Sequence, residues 1–392
     1  MASFSASPSS GFFSAPLWRS AFRPFYLFGA SYGALFMLAW LGAYVDMWPA
    51  MSPGMPLRFW HGHEIVFGFA AAIITGIVLT ALPTWVGTEE IKGGRLALLA
   101  TLWLAGRIAV WLAPWLPLAT VAAFDCALFP AVALMVGPQL LRAKNRLYLL
   151  LLPVLAGLFA ANIAFHLGSA SFGLRLAIYS IMLLYVLKGG VLIPVFTGNA
   201  LREKKRGDDI PLFFGLDVLA AVSIVVLAGL DLAALPARWT GLAAAAACLI
   251  HALRLARWRG WLVMDAPLVF VMHLGYAWLV VALGLKAAAD LAGAVPESAW
   301  LHAFTVGALG MMMMGLMTRV VLRHTGRPLI LPPAIVAAFA LMFAAALLRV
   351  SAALLDLGHT FVATSTLLWI APFLAYLALF GAILLRPSKG HG

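Results

Sequence analysis

Charged side chains make up only 10% of this 392-residue chain, against roughly a quarter in an ordinary soluble protein. That scarcity excludes a soluble domain with a solvated charged surface. Cysteine is almost absent as well. Cys126 and Cys248 are the only two, and with no CxxC or CxxCH spacing they exclude a disulfide framework, a cysteine-based metal site and covalently attached haem. Both fall in apolar stretches and read as small buried hydrophobes. Short alternating strands of the kind that build an outer-membrane barrel are missing. So is the basic-then-apolar order of a cleavable signal peptide: the start MASFSASPSSGFFSAPLWRS is Ser/Pro-rich with its Trp and Arg late. The first apolar run is therefore expected to act as an uncleaved signal.

What the chain has in excess is apolar length. Hydrophobic residues make up 64% of it, and the mean hydropathy is +1.01. A membrane-crossing helix needs about 20 mostly apolar residues, and the runs predict spans near 22–45, 58–85, 95–112, 117–141, 147–168, 173–198, 210–231, 238–256, 264–289, 297–322, 330–351 and 359–386. The expected fold is an all-α polytopic membrane protein, a single bundle of about twelve helices. The net charge of +12 does not point to nucleic acid, because the basic residues sit in short loops facing anionic membrane lipid. Alternating the loops puts 18 Lys and Arg on the side of the amino terminus and 5 on the other, with Arg107, Lys188 and Arg319 left inside spans. The positive-inside rule then places both termini in the cytoplasm.

Within so apolar a chain, ionisable residues in spans are costly and mark functional sites by default. With a helix rising about 1.5 Å per residue, His61, His63, His166 and His302 all fall near the non-cytoplasmic ends of their spans. His273 lies deeper, and His324 marks the inner end of the tenth span. Imidazole suits zinc, copper and iron, so His61, His63, His166, His273 and His302 are candidate metal ligands. His61 and His63 diverge by roughly 200° on a regular helix. They share one metal only if the first turn is irregular; otherwise they serve two sites. Glu64 is the candidate proton-relay carboxylate, or else a partner for the second nitrogen of a ligand histidine. Arg107, Arg319 and His324 are candidates for holding an anionic cofactor group, with ion pairing of the in-span cations Arg107, Lys188 and Arg319 to Asp125 or Asp217 as the plain structural alternative. His166 follows Asn162 by one turn, so a mutual hydrogen bond is the plain reading there. The run MMMMG at 311–315 reads as packing, and Gly307, Gly310 and Gly315 as room for a close helix or cofactor.

Four stretches together resemble one family: LWRSAFRPFYLFG at 17–29, WHGHEIVFGFAAAIITGIVLTALPTW at 60–85, HLGYAWL at 273–279 and HAFTVGALGMMMMGLMTRVVLRHTGRPL at 302–329. They are similar to the NnrS family of bacterial membrane proteins, from the first span through the tenth. Arg323 departs from the pattern, which has glycine before His324. The resemblance implies a bacterial inner-membrane protein of nitric oxide metabolism, linked to denitrification and nitrosative-stress defence, containing haem and copper. It carries over His61, His63, His273, His302 and His324 without assigning each to a metal. The expectation is a protein that binds and reduces nitric oxide, as a nitric oxide reductase-like oxidoreductase would. Its haem would be non-covalent and b-type, and its electrons would come from quinol or another external donor. Two other classes stay open: a metal or small-solute transporter, and a non-catalytic nitric oxide- or copper-binding protein.

Overall fold

The computed structural model describes residues 11–49, 55–207 and 209–389. Most of the Ser/Pro-rich start, part of the first connection and His391, a tail residue by its sequence position, lie outside the described residues. Helix accounts for 82% of the chain and no strand occurs among the described residues. Among the described residues, twelve helices are long and apolar enough to cross a membrane. They are α1 (Phe22–Tyr44), α2 (Leu57–Val86), α3 (Gly94–Trp111), α4 (Leu118–Leu141), α5 (Arg146–His166), α6 (Ala170–Glu203), α7 (Phe214–Leu232), α8 (Ala237–Arg257), α9 (Pro267–Ala292), α10 (Glu297–His324), α11 (Pro333–Leu354) and α12 (His359–Leu385).

The ends of the spans follow local chemistry. Pro56, Pro117, Pro236 and Pro332 stand immediately before helices, where a missing N–H costs nothing. Gly87 and Gly293, at φ +70° and +65°, end α2 and α9 in the left-handed conformation that glycine adopts without strain. The narrow gap between α3 and α4 is a single 3₁₀ turn at Ala113–Trp115.

The start of α1 and the end of α12 meet at one end of the bundle. The Arg23 guanidinium donates to the carbonyls of Ile383, Leu384 and Arg386 at 3.1, 2.9 and 2.6 Å, closing the carboxyl end of α12. The Phe22 ring lies 5.8 Å from that of His324. At the opposite end the Tyr44 and His359 rings stack at 4.9 Å, tying the finish of α1 to the start of α12.

Two spans sit at the centre. α2 is 83% buried over its most apolar window and α10 is 78% buried, whereas α5, α7 and α8 reach only 28–33% and turn side chains such as Leu249 outward. Lipid tails are as apolar as leucine, so helices in a membrane hold together by close packing more than by hydrophobic exclusion. α10 shows this: a Cβ on Gly307 would lie 2.5 Å from the Trp278 ring, one on Gly310 2.9 Å from Met342, and one on Gly315 2.8 Å from Val271. These glycines seat side chains of α9 and α11. Met311 to Met314 are all buried, as packing requires.

Candidate functional site

The two central helices share a local irregularity. α2 is α-helical through His63 and then widens into a π-helix over Glu64–Ala70. α10 is α-helical through His302 and widens over Ala303–Gly310. π-helical turns are rare and occur often at functional sites. Here each begins directly after a histidine.

His61 and His63 point to different neighbours. The His61 ring faces α1 and α10, with Trp40 at 4.6 Å, Phe36 at 6.3 Å and His302 at 6.5 Å, the two imidazole planes only 22° apart. His302 Nδ1 lies 2.6 Å from Ser298 O; only an N–H makes that contact, so His302 Nε2 keeps its lone pair. His61 Nδ1 is buried without a hydrogen-bond partner. Two metal–imidazole bonds of about 2.0–2.1 Å each, added to the ring radii, span roughly 6 Å between ring centres, close to the observed separation. The donor set therefore fits a transition-metal ion, haem iron included, and the second-row contact to Ser298 is of the kind that orients a ligand histidine.

His63 turns the other way, into a polar cluster drawn from five spans. Its Nδ1 is 2.8 Å from Glu64 Oε1, and its Nε2 is 3.0 Å from Asp125 Oδ2 and 3.1 Å from Asn162 Oδ1. His166 Nε2 approaches the same Asp125 Oδ2 at 2.7 Å. Arg107 donates to Glu64 at 2.5 Å and through its other terminal nitrogen to Asp125 Oδ1. Tyr32 donates to the second Glu64 oxygen, and Trp111 donates to the Tyr32 hydroxyl at 2.8 Å. His63, Glu64, Arg107, Asp125 and Asn162 are all at most 5% exposed. His63, Asp125 and His166 each offer a ligand atom, and those atoms lie within 4.8 Å of one another.

Two backbone features make the cluster possible. α4 breaks after Asp125 and resumes at Leu128, bringing the carboxylate inward. Gly106, next to Arg107, leaves room for that break: a Cβ there would meet Asp125 Cα at 3.0 Å and Phe124 O at 3.3 Å.

The other sequence candidates lie elsewhere. His273 Nε2 is 2.8 Å from Thr197 Oγ1, with Trp258 at 6.4 Å. His324 is at the end that holds the start of α1 and the end of α12, some 22 residues along α10 from His302, which is about 33 Å of helix. Arg319 stands over the Phe196 ring at 3.8 Å, and Lys188 over Trp85 at 3.8 Å and Tyr148 at 4.7 Å. Arg107 spends both terminal nitrogens on carboxylates. His166 and Asn162 converge on Asp125 and His63 instead of on each other; the Asn162 amide donates to Asp125 O at 3.2 Å. The residue that the sequence reading undervalued is Asp125. Its signal was a carboxylate inside an apolar run, as costly there as a histidine.

A bundle of twelve spans whose two most buried helices carry histidine clusters at one end defines a polytopic membrane protein with buried ionisable groups. The chain belongs to the NnrS family: that family's model, described as NnrS protein, matches residues 16–388, nearly the whole length. No curated protein matches the chain. The membership fits a multi-pass membrane protein related to nitric oxide.

Proposed function

We propose that this protein binds haem and copper in the bacterial inner membrane and uses them to bind nitric oxide and reduce it to nitrous oxide. The observation that carries the proposal is the His61–His302 pair: two near-parallel imidazoles from the two central helices, 6.5 Å apart, with the His302 Nε2 lone pair free of the Ser298 bond. When bound, haem iron and copper supply a site for the gas and a route for electrons. The chain's own residues do the rest. His61 and His302 would hold one metal, oriented by Ser298 and walled by Trp40 and Phe36. Joining two nitric oxide molecules into nitrous oxide and water consumes two electrons and two protons. Glu64, whose carboxylate meets Tyr32, Arg107 and His63, is the group we assign to pass protons. Electrons come from outside the chain, from quinol or an external carrier.

Nitric oxide is small and apolar and enters from lipid, so it needs no polar channel. An apolar cavity of about 60 Å³ lies farther along the same two helices, lined among others by Ile74, Val78, Tyr185, Leu309 and Met312. Liquid water occupies about 30 Å³ per molecule, so a diatomic gas fits this space.

Detergent-purified protein tests the proposal. Metal analysis should return iron and copper, and nitrous oxide should accumulate in the headspace when reductant and nitric oxide are supplied. Protein without iron or haem refutes the cofactor assignment. Haem-loaded protein that binds nitric oxide but forms no nitrous oxide refutes turnover and leaves a binding protein.

A further inference from the structure

The cluster around Asp125 gathers carboxylates and imidazoles around Arg107, which is bonded to both Glu64 and Asp125. Its hydrogen-bond pattern leaves one atom facing acceptors alone. Neutral imidazole carries one N–H and one lone pair. If His63 Nδ1–H donates to Glu64 at 2.8 Å, its Nε2 lone pair faces two acceptor oxygens, Asp125 Oδ2 at 3.0 Å and Asn162 Oδ1 at 3.1 Å. The Asn162 amide cannot be reversed without losing its own bond to Asp125 O. The other tautomer moves the clash to Glu64 when that carboxylate is ionised. A metal ion at Nε2, or a proton on Glu64 or His63, removes the clash.

We propose that His63 Nε2, His166 Nε2 and Asp125 Oδ2 hold one copper ion. This rests on the reading above that the chain takes copper, and it names the ligands. Three features favour it. The three donors converge within 4.8 Å, and the two imidazoles meet at 72° with ring centres 5.6 Å apart, so both nitrogens reach a common point. Glu64 on His63 Nδ1 supplies the carboxylate–histidine–metal arrangement that fixes ligand rings. Arg107, bonded to the other Asp125 oxygen, keeps that carboxylate turned toward the metal. The cluster then serves as a copper centre separate from the His61–His302 pair, on the opposite side of α2.

The test uses full-length protein in detergent, stripped of metal and titrated anaerobically with copper(I) alone against a chromogenic copper(I) chelator. One tight equivalent is expected. Asp125→Asn and His166→Gln should abolish it, and Glu64→Gln should weaken it by about 10–100-fold, the usual effect of removing a ligand's orienting partner. His61→Ala with His302→Ala should leave it intact. X-ray absorption of the copper-loaded protein should report nitrogen and oxygen neighbours only. Each variant is first shown to elute as the wild type does in gel filtration; a variant that aggregates is replaced by His63→Gln. Wild type that binds no copper(I), or variants that bind it unchanged, overturns the assignment and leaves a proton on His63 or Glu64 in the metal's place. A protein that binds copper here yet contains no haem refutes the haem reading alone.

Discussion

Replacing Arg107 with methionine keeps side-chain length and removes the guanidinium fork. Arg107 is 3% exposed and bridges Glu64 and Asp125, which are 0% and 5% exposed. Near 4 Å, each charge pair is attracted by about 4 kcal/mol at an effective dielectric of about 20, a gain that desolvation of the ions largely offsets in the native state. Removing one partner forfeits the attraction but keeps the desolvation, and for a buried pair this costs about 3–5 kcal/mol. Arg107→Met strips two carboxylates at once, so the upper end of that range is expected. Arg107→Lys keeps the charge but cannot form the planar two-pronged contact, and should cost about 1.5–3 kcal/mol, the worth of one charge-assisted hydrogen bond. Adding Glu64→Gln and Asp125→Asn to Arg107→Met removes the stranded charges and should restore stability relative to the single variant. The assay is thermal unfolding of metal-free protein in detergent, followed by the loss of the monodisperse gel-filtration peak. A wild-type midpoint for Arg107→Met, or a triple variant less stable than the single one, would refute the view that this arginine is held by buried ion pairing.

Further outcomes follow from other contacts. Gly106→Leu should force α3 and α4 apart at Asp125, costing about 1–3 kcal/mol as an overpacked site does, and should lower copper(I) affinity by displacing Asp125; copper affinity equal to wild type would show that the close approach is dispensable. Arg23→Ala removes the donor to three carbonyls at the end of α12, a loss of about 1–3 kcal/mol, and limited proteolysis should then cut after Leu385 faster than in wild type. His324→Ala, far from both histidine centres, should leave iron and copper content unchanged; a loss of either metal would mean that the terminal end of α10 holds a cofactor after all.

Legibility in the sequence tracked how local each cause is. The twelve spans were readable because an apolar run of membrane length has few alternatives. The limits were less so: the sixth span, expected over 173–198, continues as helix from Ala170 to Glu203, because Pro194 is absorbed in its interior and the polar NALRE segment extends the helix past the apolar run. Depth along the helix axis was also readable, and it grouped His61, His63, His166 and His302 at one end. Rotation about the axis was not. It depends on packing, and it separates His61, facing His302, from His63, facing Asp125. The π-helical turns after His63 and His302 have no propensity signature, since they arise from the fit of α2 and α10 among their neighbours. Asp125 reads in the sequence only as an ion-pair partner for a cation within a span, while in three dimensions it is the point on which two histidines, an arginine and an asparagine converge.

The central claim is that imidazoles from α2 and α10 hold a metal that meets nitric oxide. The visible absorption spectrum of reduced, purified protein before and after nitric oxide addition tests it most directly, with the His61→Ala/His302→Ala double variant alongside. The account predicts a Soret band that shifts with nitric oxide in the wild type and is lost in the double variant. A colourless wild type, or a band and shift that survive removal of both histidines, would contradict it.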